Sequence, residues 1–137
     1  MTEGSIEITM SSTRPYLLRA LYEWIVDNGM TPYLLVDADC SGVMVPRQYV
    51  EEGRIVLNIS PEAIRGLELG NESVSFSGRF GGQVMEVHVP MAAVRAIYAR
   101  ENGRGMVFAE EMEGQQESPE PDGTGGGGGR PQLRLVK

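Results

Sequence analysis

The sequence has little of what disulfide and metal sites need. Its 137 residues include one cysteine, Cys40, and one histidine, His88. A single cysteine excludes an internal disulfide, and a single histidine excludes most histidine-based metal sites. No apolar run reaches the roughly 18 residues of a membrane-spanning helix, and the first ten residues lack the apolar region of a signal peptide. We therefore expect a cytoplasmic protein with no metal, no cofactor and no membrane partner.

Basic residues are also scarce. The chain has 12 Lys and Arg residues against 19 Asp and Glu residues, and Lys137 is its one lysine. Residues 110–122 hold six acids, while residues 1–109 hold 13 acids and 9 bases, a net charge of −4. Nonspecific affinity for nucleic acid comes mostly from neutralised phosphates, so an acidic body binds it poorly. We expect no nucleic-acid partner, although the composition leaves a local basic patch open.

The sequence also lacks a catalytic pattern. His88 stands between two valines in an alternating segment, so we expect it to face solvent rather than act as a general base. Asp37 and Asp39 lie close to Cys40, and such anions raise the pKa of a thiol instead of activating it. No second histidine is available for a catalytic relay. The sequence therefore predicts a binding protein and not an enzyme.

Residues 14–28 have the pattern of a helix. Pro15 suits a first helical position, and Gly29 suits the end of the helix. Apolar residues recur at spacings of three and four and form a broad stripe: Leu17, Leu18, Leu21, Trp24 and Ile25. The pattern leaves two interpretations open. The stripe packs entirely on its own domain, or part of it packs on a second copy of the protein.

After Pro32 the period changes from that of a helix to that of strands. Short strands are predicted at residues 33–36, 43–45, 55–59, 73–80 and 84–89. Gly81 and Gly82 separate the last two runs and predict a hairpin. Residues 90–93 could open a helical turn, and residues 96–99 fit either a helix or a strand. One helix followed by five or six short strands predicts a small, strongly bent sheet or barrel.

Such a sheet offers a strand edge to which an extended peptide can add, with side-chain pockets that choose its sequence. Ile59, Phe76, Phe80 and Met91 are candidates for those pockets. The alternative is that all four are ordinary core residues, and the alternating pattern by itself favours that alternative.

Residues 110–137 cannot build a core. Residues 110–129 are acidic, then glycine-rich, which is typical of a flexible linker, although a glycine run can also be an engineered joint. The last eight residues combine three aliphatic side chains with three cations: Arg130, Pro131, Gln132, Leu133, Arg134, Leu135, Val136 and Lys137. The composition fits a tethered docking motif, and it also fits an inert end.

Several stretches of the chain resemble one known family. They are residues 14–20, 23–24, 56–59, 79–82, 96–103 and 128–137. In them the chain is similar to the stringent starvation protein B family, the bacterial adaptors of the ClpXP protease. The similarity covers residues 14–108 almost without gaps and resumes at 128–137, beyond the predicted linker. Two separate blocks make the resemblance specific.

The resemblance implies a mainly β fold with an N-terminal helix, a small Sm-like β-barrel and a disordered C-terminal tail. Residues 1–13 would be disordered, residues 14–109 would form the folded domain, and residues 110–129 would be the linker. Residues 130–137 would dock on the N-terminal domain of ClpX. The helix would form a homodimer through Tyr16, Leu17, Ala20, Leu21 and Trp24.

The resemblance further implies that a groove of the barrel binds the ssrA degron, the peptide added to stalled ribosome products. The groove residues would be Asn58, Ile59, Ser60, Ala63, Phe76, Ser77, Gly78, Arg79 and Phe80. The chain has Ser77-Gly78 where the family pattern has Asn-Ala, and its linker is shorter and richer in glycine, so degron preference and reach could differ. The alternative function is that of an Sm-like RNA-binding protein, which the acidic body disfavours.

Overall fold

The computed structural model describes residues 9–109. Within this range the chain forms one α-helix and seven strands. Helix α1 spans Arg14–Asp27. The strands are β1 Pro32–Asp37, β2 Arg54–Asn58, β3 Ile64–Leu69, β4 Ser73–Phe80, β5 Gln83–Pro90, β6 Val94–Ala99 and β7 Gly105–Val107. Two short 3₁₀ helices lie at Arg47–Tyr49 and Met91–Ala93.

The strands form two antiparallel sheets. One has the order β2-β1-β6-β7 and the other has the order β3-β4-β5. The predicted class, mainly β with an N-terminal helix, is confirmed, whereas closure of the two sheets into a barrel stays a prediction. None of the helices in the described range has the length and hydropathy needed to span a bilayer.

Alternating side chains explain why these segments are strands. Successive residues of β1 are buried and half-buried in turn, and those of β2 are exposed and buried in turn. This is the period of a strand with one face on a core. Between β4 and β5, Gly81 and Gly82 have φ values of 57° and 84°, which a two-residue hairpin turn of the primed type requires. The predicted hairpin is confirmed, with Phe80 paired to Gln83.

The helix and both sheets share one core. Leu18 and Ile25 of α1 are buried together with Leu34 and Ile97 of the larger sheet and Phe76 of the smaller one. Burial of a large apolar side chain contributes about 1.5–3 kcal/mol. The helix is therefore fixed to the sheets by Leu18 and Ile25, while Trp24 of the same stripe stays exposed, so both interpretations of the stripe remain open.

Two local predictions need correction, two strands were missed, and one ambiguity is resolved. The strand predicted at 43–45 is wrong, since Met44 makes only a single bridge, to His88. Pro46 follows closely and has no N–H for a further ladder bond. Strands β3 and β7 were not predicted. Pro15 is the second helical residue, because α1 begins at Arg14, while the ambiguous segment 96–99 is part of strand β6.

Arg14 is a buried cation at the start of the helix. Its side chain has no exposed surface. The guanidinium donates to the carbonyl oxygen of Val94 at 2.8 Å and to that of Ala109. It also lies over the ring of Phe108, 5.4 Å from the ring centroid. Arg14 thus holds the chain after β7 against the start of α1.

Candidate functional site

The predicted groove residues come from two segments that the β3–β4 pairing brings together. Ile64 at the start of β3 pairs with Gly78 of β4. The turn before β3 is closed by two hydrogen bonds: the N–H of Ser60 donates to Oδ1 of Asn58, and the N–H of Ala63 donates to the carbonyl of Ser60, both at 3.0 Å. The turn 58–63 therefore lies beside the end of β4. We call these two segments, residues 58–63 and 76–80, the candidate site.

Exposure divides the candidate site into a surface and a base. Asn58, Ala63 and Arg79 are exposed, and Ser77 and Phe80 are half-buried. The remaining four residues are buried: Ile59, Ser60, Phe76 and Gly78. Ile59, Phe76 and Met91 belong to the core cluster, and Phe80 packs against its edge. Of the four pocket candidates, Phe80 is thus the one that is only half-buried.

The end of β4 presents two chemically different faces. Phe76, Gly78 and Phe80 alternate with Ser77 and Arg79 along the strand, so the two sets point to opposite sides of the sheet. On the outer side the Ser77 hydroxyl donates to Glu86 at 2.6 Å. The Arg79 guanidinium donates to the carbonyl of Gly82 at 3.2 Å. The inner side is aromatic, and the outer side is polar with one exposed cation.

Tyr49 is a neighbour of the site that the sequence did not single out. It lies in the 3₁₀ helix Arg47–Tyr49, and its ring centroid is 6.1 Å from that of Phe80, with the planes at 43°. Tyr49 is 48% exposed. The rings of Tyr49, Phe80 and Phe76 thus pass from exposed to half-buried to buried, and we call these three residues the aromatic row. The sequence offered one weak indication of its role, namely an aromatic residue in a polar turn region.

The predicted dimer residues form one side of α1. Tyr16, Ala20 and Trp24, four residues apart, are exposed, while Leu17 and Leu21 are partly buried against the core. Two arginines lie over the exposed rings: Arg19 is 4.7 Å from the Tyr16 centroid, and Arg104 is 5.8 Å from the Trp24 centroid. We call Tyr16, Ala20 and Trp24 the helix stripe.

A small cavity of about 100 Å³ adjoins the end of the helix stripe. It is lined by Trp24, Ile25, Asn28, Met30, Ala99, Asn102 and Arg104. The indole of Trp24 therefore borders a recess as well as open surface.

The surroundings of Cys40 disfavour its thiolate form. Burial raises the pKa of Cys40, and the negative charge of Asp37 raises it further. Arg95 forms an ion pair with Asp37 at 3.0 Å and lies 3.8 Å from the sulfur. The predicted direction of the pKa is confirmed, and burial is the larger cause. His88 is exposed on β5, as its position between two valines predicts.

No group of three or more His, Cys, Asp or Glu side chains within residues 9–109 is placed to hold a metal ion. The predicted linker, 110–129, and the predicted docking motif, 130–137, lie outside the described residues, as do the first eight residues.

These observations define the class of the protein: a small mainly β domain with one N-terminal helix, two antiparallel sheets and two partly exposed apolar surfaces. The family model "Stringent starvation protein B" matches residues 12–132, and the chain belongs to this family. It is similar to a Stringent starvation protein B homolog of Haemophilus influenzae, with 50% identity over 117 residues. The match covers 85% of this chain and 78% of that relative.

Proposed function

We propose that this protein is a homodimeric adaptor that binds ssrA-tagged proteins at the candidate site and tethers them to the ClpX unfoldase through residues 130–137. The observation that carries the proposal is the family match, which runs from residue 12 to residue 132 and so includes both the domain and the predicted linker. In this scheme the protein acts by tethering and catalyses no reaction.

The candidate site has the surface that an extended peptide needs. The accessible part of the Phe80 ring offers an apolar contact, and the exposed Asn58 and Ala63 leave the turn open to an approaching chain. Arg79 is exposed and bonds only one carbonyl of its own hairpin among the contacts described above. A guanidinium fork matches the geometry of a carboxylate, so Arg79 is suited to an acidic side chain of a degron.

The helix stripe supports the dimer. Tyr16 is 52% exposed and Trp24 is 43% exposed, although both are large apolar side chains on a helix whose other side is firmly packed. Aromatic residues are enriched at the centre of protein interfaces because their burial releases much apolar surface from water. A second copy that presents the same stripe would bury both rings about a two-fold axis.

The composition of residues 110–129 supports the tether. A flexible chain of 20 residues has an end-to-end distance of about 25 Å. A substrate held by such a linker has an effective concentration near millimolar at the partner. In residues 130–137, Leu133, Leu135 and Val136 would supply apolar anchors, and the three cations would steer association with an acidic receptor surface.

Fluorescence anisotropy of a labelled ssrA peptide tests the peptide site. We expect saturable binding of that peptide and no binding of a scrambled peptide. The affinity should depend weakly on salt, because pocket contacts and strand pairing release few counterions. Steeply salt-dependent binding of an RNA oligonucleotide, without binding of the ssrA peptide, would replace the proposal with the Sm-like RNA-binding function.

A double variant of the predicted docking motif tests the tether. Replacement of both Leu135 and Val136 by Ala should abolish ClpXP degradation of an ssrA-tagged substrate at low substrate concentration and leave peptide affinity unchanged. Thr124→Ala in the linker is the matched control and should leave both activities intact. If the double variant loses peptide binding as well, the two functions are not separate modules.

A further inference from the structure

Gly78 stands in the middle of a regular strand, where a glycine needs a reason. A glycine within a strand weakens it and often marks the close approach of another group. Gly78 pairs normally with Ile64 on one side and Met85 on the other. Its φ lies outside the left-handed region that favours glycine. The backbone conformation at residue 78 would therefore accept a side chain. The glycine is needed instead because it leaves space beside the strand.

The ring of Phe80 occupies that space. A Cβ atom at position 78 would lie 3.0 Å from Cε2 and 3.2 Å from Cζ of Phe80, and 3.4 Å from Cε1 of Phe76. The first two distances are shorter than ordinary van der Waals contact, and protein interiors are too tightly packed to absorb them without movement. The Phe80 ring thus lies against strand β4, and a side chain at residue 78 would require the ring to move away by a few tenths of an ångström.

The position of this ring sets the shape of the accessible part of the candidate site. Phe80 is half-buried, and its ring contacts the 48%-exposed ring of Tyr49. Phe80 and Tyr49 together form an aromatic surface, which suits contact with a large apolar side chain. A side chain at residue 78 would displace the Phe80 ring by a few tenths of an ångström and so change that surface.

We propose that Gly78 is a specificity-determining residue of the candidate site: by seating the Phe80 ring against β4, it selects peptides that carry a large apolar side chain at the position that contacts this ring. This inference rests on the proposed function, since it assumes that the candidate site binds a peptide. It adds the residue that sets the preference and the class of side chain that is preferred.

A double-mutant cycle tests the inference. The variants are Gly78→Ala, Phe80→Leu and the combination of both, with Ser75→Ala on the opposite face of β4 as the matched control. Each is titrated against the labelled ssrA peptide and against peptides in which each position is replaced in turn by Ala, Leu and Phe. The aromatic carbon–proton NMR signals of Phe80 and Tyr49 are recorded without peptide.

We expect Gly78→Ala to weaken binding of the peptides with a large apolar side chain by about fivefold, roughly 1 kcal/mol, and to spare those with Ala at the same position. In the Phe80→Leu background the same substitution should have no further effect, because the ring that it displaces is gone. The NMR signals of Phe80 and Tyr49 should shift in Gly78→Ala and not in Ser75→Ala.

Three results would overturn the inference. They are an unchanged peptide preference in Gly78→Ala, an equal loss of affinity in both backgrounds, and unshifted ring signals. Failure of the proposed function looks different. In that case the native protein binds none of the peptides, so Gly78 selects nothing, while the NMR signals still report whether the ring is seated as described.

Discussion

The helix stripe and the aromatic row are both apolar and partly exposed, yet they are supported in different ways. Tyr16 and Trp24 of the stripe stand outside the core, and the residues beneath them hold the helix in place. The aromatic row runs into the core, from the exposed Tyr49 through Phe80 to the buried Phe76. Substitutions on the helix stripe or at the exposed Tyr49 should therefore spare the fold, whereas a substitution at the buried Phe76 should destabilise it.

This difference matches the two kinds of contact that we propose. A convex stripe on a rigid helix suits a flat, self-complementary interface with a second copy. A row that passes from solvent to core suits a single inserted side chain, whose binding is sensitive to the packing behind it. Mutations should therefore separate the two surfaces by their effect on stability.

The largest effect is expected at the buried end of the aromatic row. Phe76→Ala should lower the free energy of unfolding by about 3–5 kcal/mol, since it leaves a cavity in the core. Urea unfolding followed by circular dichroism measures this. Val84→Ala, at a position 63% exposed, is the control and should change little. A loss below about 1 kcal/mol in Phe76→Ala would show that the core end of the row repacks easily.

The next effect is expected at the helix stripe. Trp24→Asp should weaken the proposed dimer by about 100-fold, because truncation of a central aromatic residue commonly costs 2 kcal/mol or more. Sedimentation velocity over a dilution series measures this, with Val84→Asp as the matched control for an exposed charge. Peptide affinity per subunit should stay within about twofold. If the Trp24→Asp variant remains dimeric, the helix stripe is not part of the dimer interface.

A smaller effect is expected at the exposed end of the row. Tyr49→Ala removes the ring next to Phe80 and should weaken ssrA peptide binding by about fivefold, roughly 1 kcal/mol. The variant should unfold at nearly the native urea concentration because Tyr49 is largely exposed. Gln48→Ala, one residue earlier in the same 3₁₀ helix, is the control for anisotropy titration. Equal affinities for all three proteins would confine the site to β4 and the turn.

The smallest effect is expected away from both surfaces. The N–H of Asp39 donates to Asp37 and holds the pKa of that carboxyl below its usual value, and the charge of Arg95 adds to this. A lowered folded-state pKa stabilises the fold above the unfolded value near 4 and loses that contribution as the pH falls through the folded value. Asp37→Asn should therefore cost at most about 0.5 kcal/mol at neutral pH and nothing near pH 2.

Urea unfolding at the two pH values measures the Asp37 contribution, with Asp39→Asn as the control at the neighbouring acid. Neither variant should change peptide affinity, because Asp37 and Asn58 lie at opposite ends of the β1–β2 pair. A cost that is equal at both pH values would mean that the amide perturbs the turn and that the charge contributes nothing.

Short sequence patterns made much of the fold predictable. Strands β4 and β5 alternate polar and apolar residues, β1 and β2 are short apolar runs, and the glycine pair marks the hairpin. The rule for apolar runs misled at residues 43–45, where only Met44 finds a bridging partner. It failed for β3, where Gly66 sits at a break in the pairing register, and for β7, whose three residues are all exposed. Pairing partners, and not local pattern, decide these cases.

Less of the candidate site than of the fold could be predicted from the sequence. The resemblance supplied residues 58–63 and 76–80, and the β3–β4 register brings them together. The Phe80 ring lies in the space that a Cβ atom at residue 78 would need. This placement depends on the orientation of one ring, which the sequence pattern does not reveal. The proximity of Tyr49 depends on the path of a loop between β1 and β2. Both features depend on tertiary packing, and both affect the proposed peptide specificity.

Arg14 gives the linker a fixed origin. Its guanidinium holds the carbonyl of Ala109, one residue before the predicted linker begins, and Arg14 is itself two residues from Tyr16 of the helix stripe. Ala109 is therefore fixed beside the N-terminal end of α1, the end at which the helix stripe begins. In a dimer built on that stripe, both tethers would leave from the subunit boundary. One unfoldase within reach of that boundary would then be within reach of both.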